Sequence, residues 1–221
     1  MRLLSTPALA FGVLLAIIFF KIYGVATRPD VPTPVALVVG QFAPGVEIGA
    51  KVYDVRHHVG GLTYVRHLGY VGVPGDRETN LPAGGKIGFA QVRLLLDEQS
   101  RSMARGDQKK ARIDAVEIVS TEGGASSEIA NALAYLFRTN PLQGCVTTAE
   151  GTYRDVQVWK TRNERGGVAL VGPAAEGGSR TVRYGGPSVT SVVAFTGKFA
   201  GSETMRANYH GAACTSLSDT Q

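Results

Sequence analysis

The chain has 221 residues, 44% hydrophobic and 19% charged, with 28 glycines and 10 prolines. That composition excludes a disordered chain and allows one ordinary domain or two small ones, rich in turns and short strands. Of the net charge of +5, Arg2 and Lys21 supply two, and the remaining three lie in residues 98–112, which carry five basic and two acidic side chains and no aromatic, so no nucleic-acid surface, with its distributed phosphate contacts and interleaved aromatics, is expected.

Residues 3–20 contain no charge and lie between Arg2 and Lys21. A run this apolar is read as a membrane segment or a secretion signal. As an anchor it extends over residues 3–26, with Lys21 reaching back to the interface and Tyr23 at headgroup level. As a signal peptide it is cleaved after Ala26. Lys21 lies where a signal normally has neutral residues, and the apolar run is heavy, so the retained anchor is the preferred reading. There is no cysteine near residue 26 to accept a lipid. The expected location is a cell membrane of a bacterium-like envelope, single-pass with a periplasmic domain, or the periplasm after cleavage. The membrane, through this segment, and a protein of unknown identity are the expected partners.

Residues 28–34 (RPDVPTP) read as a proline-stiffened spacer. The folded domain is expected over residues 35–200, with possible subdomains 35–120 and 121–200, followed by a tail over 201–221. Residues 45–59 fit a helix, through Ile48, Val52, Val55 and Val59, and equally an alternating strand through Val46, Ile48, Ala50 and Val52. Residues 62–73 look extended. Residues 87–97 and 113–120 read as two strands joined by the basic segment as a hydrated, mobile loop.

Residues 126–138 (SSEIANALAYLFR) give the best helix. Ser126 is a candidate cap, Glu128 lies in the first turn, and Ile129, Leu133, Leu136 and Phe137 share one face. Asn140-Pro141 stops it. Residues 153–160, 167–171 and 188–199 read as three further strands between glycine-rich turns. The expected fold is α+β: a mainly antiparallel sheet with one or two packed helices, with two similar helix-and-meander subdomains as the alternative arrangement.

Signatures of chemistry are absent. There is no nucleophile elbow, phosphate loop, HExxH or CxxC pattern. His57, His58 and His67 cluster in sequence, but adjacent histidines point to different sides of an element, and a site would need a carboxylate such as Asp54 to converge on them. His210 is remote. No catalytic residue, cofactor or metal is assigned. Trp159, like Tyr64, Tyr70 and Phe89, fits a packing residue on an amphipathic element; Trp159 is also the one candidate binding-surface residue. Cys145 and Cys214 are the only cysteines, and in an exported chain they are expected to form a disulfide closing about 70 residues, which would remove roughly 4 kcal/mol of unfolded-state entropy. The expected function is a non-catalytic envelope protein whose domain binds a protein or ligand. The alternative is a small envelope hydrolase built on His57, His58 or His67 and a carboxylate.

Overall fold

The computed structural model describes residues 31–66, 68–82, 84–121, 126–137, 143–147, 156–160, 166–171, 190–197 and 215–216. Helix α1 (Thr33–Phe42) leads through the single turn α2 (Val52–Val55) into β1 (Val59–Val65), β2 (Gly69–Pro74), the short β3 (Glu78–Asn80) and β4 (Lys86–Leu95). Helix α3 (Glu98–Ala104) connects β4 to β5 (Ala115–Ser120), and α4 (Ser126–Phe137) leads into the second half. That half contains β6 (Gln143–Thr147), β7 (Val156–Lys160), β8 (Gly166–Val171), β9 (Ser191–Thr196) and β10 (Thr215–Ser216). The strands form one sheet in the order β1-β2-β4-β5-β9-β8-β7-β6-β10, with β3 paired to β4 alone. Every pairing is antiparallel. The fold is therefore α+β on a mostly antiparallel sheet.

The strand order mirrors itself about the β5–β9 seam, where Glu117 pairs with Val193. On each side a helix precedes four strands that run to the seam. The two sides interlock, because α1 from the first half packs on β8, β9 and α4 of the second. One continuous core results: Val35, Val38, Val39 and Phe42 of α1 and Ile129, Ala132 and Leu133 of α4 meet Leu94, Val116, Ile118, Val168, Leu170, Val192 and Ala194 of the sheet. Phe42 meets Phe89 edge-on at 5.8 Å between ring centroids, an arrangement favoured by the ring quadrupoles. The intervening residues of the same strands (Leu95, Ala115, Ala169, Val171, Val193 and Phe195) form a second buried cluster on the opposite face. Strands β5, β8 and β9 are thus buried on both faces, which is why they read as nearly unbroken apolar runs.

Several sequence expectations change. The stretch read as a spacer is partly α1: Pro34 lies in its first turn, where a missing N–H removes no helical hydrogen bond. The β-branched run Val35, Val38 and Val39 is helical because that conformation puts all three in the core; packing outweighs local propensity. The alternating strand over Val46 to Val52 does not form: residues 45–58 are turns, an isolated bridge at Lys51 and α2, and Val59 opens β1.

The basic segment is not a free loop. Asp97 caps α3 by accepting from the Ser100 backbone N–H at 2.6 Å, and Ala104, Ala111 and Ile113 are buried. Backbone N–H groups of Gly49, Val52 and Tyr53 donate to Ile113, Ala111 and Gln108, which fastens the segment along residues 49–53. No helix among the described residues is long and apolar enough to cross a membrane. Residues 1–27, where a span is expected, lie outside them.

Candidate functional site

On the sheet face opposite the helices, the end formed by β1, β2 and β4 holds a groove of about 490 Å³. Its lining is Gly61, Thr63, Val65, Leu68, Val71, Gly72, Val73, Ala90, Gln91 and Arg93. Two irregularities in strand pairing shape it. The β4–β5 register shifts between Phe89 and Gln91, so Ile87 and Phe89 face the helices before the shift and Val92 and Leu94 after it. The extra residue brings both Ala90 and Gln91 to the groove. The β1–β2 register shifts between Gly60 and Thr63, where Gly61 has φ +62°, a backbone angle that a side chain would resist. Bulges of this kind re-aim side chains beside binding sites.

The inner wall of the groove is charged yet buried. Arg93 and Glu117 sit opposite each other across β4 and β5 and pair at 3.1 Å with 2% and 3% of their side chains exposed. Gln91 Oε1 accepts from Arg93 Nη2 at 2.9 Å and from Nε at 3.3 Å. The pair presents little net charge, while Val65, Val71 and Val73 are half-buried and Thr63 and Ala90 exposed. The site therefore suits a ligand that is mainly apolar with some hydrogen-bonding capacity. A volume in this range is ordinary for a small ligand or a few side chains of a partner.

A second cavity, about 410 Å³, lies beside the helix face and is lined by Gly45, Val46, His57, His58, Pro74, Gly75, Asp76 and neighbouring residues. It brings together His57 and His58, as the alternative site requires, but the carboxylate is Asp76; Asp54 is exposed elsewhere on α2. Both histidines are exposed, and His58 packs on the bare backbone of Gly45, where a Cβ would come within 2.2 Å of Nδ1. Among the described residues no group of three or more His, Cys, Asp or Glu side chains is placed to hold a metal ion. His67 and His210 lie outside the described residues.

Tyr70 and Tyr64 pack as a tilted pair at 5.2 Å, and Phe89 lies in the helix-side core, so these aromatics fill space as read from the sequence. Among the described residues the buried Tyr70 hydroxyl has no hydrogen-bond partner. Burial, helped by Tyr64 and Asp107, pushes its pKa up to about 12. Trp159 pairs with Gly144 and Val168 in the sheet, but its side chain, and that of Cys145, are outside the description; Cys214 is wholly outside it.

The groove residues were missed in the sequence because each looks like ordinary strand material. One signal was present: the apolar alternation of Ile87 and Phe89 resumes one residue late at Val92 and Leu94, and that lost phase marks the bulge. Gln91 and Arg93, on the same side of a strand with apolar neighbours, then mark the wall. No family model, no curated protein and no solved structure matches the chain.

Proposed function

We propose that the chain is a non-catalytic envelope protein whose α+β domain lies outside the cytoplasmic membrane and binds an apolar segment of a protein partner. One observation carries this reading: the sheet face opposite the helices is buried over β5, β8 and β9 but opens over β1, β2 and β4 into a groove with half-buried valines and a neutralised polar wall. Such a site offers apolar area and fixed hydrogen-bonding groups, the features by which a partner is held and oriented. The charge-free run at residues 3–20 supports placement at a membrane. The proposed Cys145–Cys214 disulfide gains support from the tail: Ser216 pairs with Cys145 in the sheet, and Cys214 lies two residues along the chain, a reach of at most about 7 Å.

Affinity capture from crosslinked native envelopes tests the binding reading. Ala90→Trp, at an exposed groove position, should remove a protein captured by the unaltered chain, while a His57→Ala/His58→Ala variant should retain it. Equal capture by all three overturns the groove. The hydrolase reading rests on His57, His58 and Asp76 sharing one cavity. It would prevail if the purified chain cleaved ester or amide substrates and the histidine variant, with its fold intact, did not.

A further inference from the structure

We infer that one end of this sheet is a membrane-docking surface, which rests the basic segment on anionic lipid headgroups and so fixes how the domain is presented. The inference rests on the tethered-domain reading above and adds an orientation to it.

The geometry begins with the strand register. Leu95 pairs with Ala115, Ala115 with Phe195, and Gly167 with Phe195, so the ends of β4 and β9 and the beginnings of β5 and β8 lie together. The basic connector from Leu96 to Asp114 closes this end. The beginning of α1 is here as well: a Cβ built on Gly166 would be 3.3 Å from Pro32 Cδ. The far end of α1 is at the other end of the sheet, where the Gln41 side chain donates to Asn80 O at 2.7 Å. The chain that carries the apolar run of residues 3–20 therefore joins the domain at the end closed by the basic connector.

That end carries more basic side chains than the sequence segment alone, with Asp54, Asp97 and Asp114 as acidic neighbours. The backbone bonds to residues 49–53, with the bridge between Lys51 and Arg112, bring Lys51 and Arg56 beside Lys109, Lys110 and Arg112. The Arg56 guanidinium lies 3.5 Å from the centroid of the Tyr53 ring, and Lys109 Nζ lies 5.3 Å from it. Two cations on one exposed ring are held by the ring quadrupole, and they retain a field that attracts anions. Lys110 and Arg101 have carboxylate partners at 3.7 and 3.6 Å. Lys51, Arg105 and Lys109 have none among the described residues.

Among the described residues, two of the four large exposed apolar side chains are Tyr53 on α2, at 37%, and Met103 on α3, within the connector, at 63%. Mixed basic and apolar exposure suits a bilayer interface, where headgroups meet the cations and the apolar groups enter the boundary layer. A nucleic-acid surface would leave Met103 without a role. Each basic side chain near an anionic surface contributes about 1 kcal/mol, and the contribution is lost on screening.

The test reconstitutes the full chain into vesicles of phosphatidylcholine alone or mixed with phosphatidylglycerol, and reads lysine acylation by mass spectrometry. Lys51, Lys109 and Lys110 should react several-fold more slowly on the anionic vesicles and recover in 1 M salt, where screening acts within about 3 Å. Lys86 is the internal control, at the opposite end of β4, about 30 Å away. Lys109→Glu/Lys110→Glu, at exposed positions, should abolish the protection of Lys51. Equal reactivity on both vesicles, with the chain floating with both, overturns the docking surface and leaves the tether intact. Failure to float with either removes the tether and the docking together. Protection by inorganic phosphate or duplex DNA on neutral vesicles, matching that given by the anionic lipid, overturns the lipid assignment.

Discussion

The two faces of the sheet are built from alternate residues of the same strands, yet they differ in what burial does. The helix face is an unbroken apolar core under α1 and α4. The other face begins as a core over β5, β8 and β9, contains an ion pair at Arg93 and Glu117, and ends as an open groove. Where a helix covers a face, alternation need only be apolar. Where no helix covers the face, at β4, the alternation is shifted by a bulge and a charge is brought inside with its partner. A buried pair is poor evidence of stabilisation, since two apolar residues of similar volume often do as well; its place here is better explained by fixing the β4–β5 register and finishing the groove wall.

The sharpest way to break this comparison is to unbalance the pair. Glu117→Ala removes a carboxylate from beside the buried Arg93 charge and should cost about 3–5 kcal/mol in denaturant unfolding, whereas Arg93→Met/Glu117→Leu should recover most of the loss. A loss below about 1 kcal/mol from the single change would mean that water reaches the pair and that this face is surface throughout. On the helix face, Leu133→Ala removes a fully buried side chain and should cost about 2–5 kcal/mol, with no apolar double variant needed to interpret it.

Tyr70→Phe acts in the opposite direction. It deletes a buried hydroxyl that lacks a partner among the described residues and should raise stability by about 1 kcal/mol. The same residue sets an alkaline limit. Its pKa, raised from 10.0 to about 12 in the folded chain, means that the neutral phenol is favoured by folding. Its contribution is complete below pH 10 and is lost as pH rises through 12. Comparing unfolding of the two proteins across that interval should show the extra alkaline loss only with tyrosine present; parallel curves would mean that the phenol is solvated.

Much of the fold was legible because β5, β8 and α4 carry strong sequence signals: 113–120, 126–138 and 167–171 all fall on elements of the expected type. What was not legible has specific causes. Helix α1 was hidden by Pro34 and its β-branched run, both of which suggest extended chain until the core position of Val35, Val38 and Val39 is known. Helix α3 was hidden by its polarity, although Asp97, with Ser100 three residues on, is a capping signal. The groove depends on residues from three strands and two bulges, and only the bulge in β4 leaves a trace in the pattern. The cavity that joins His57 and His58 to Asp76 depends on a turn far from Asp54, the carboxylate nearest in sequence.

The central claim is that partner binding belongs to the open end of the far face and not to the helix layer. Photocrosslinking residues placed in the full chain at Thr63 and Ala90, both exposed and lining the groove, can be compared with the same residue at Leu37 and Tyr135, exposed by 41% and 49% on α1 and α4. In native envelopes, the two groove positions should give a shared protein adduct that the helix positions do not. Adducts from Leu37 or Tyr135, with none from Thr63 and Ala90, would contradict it.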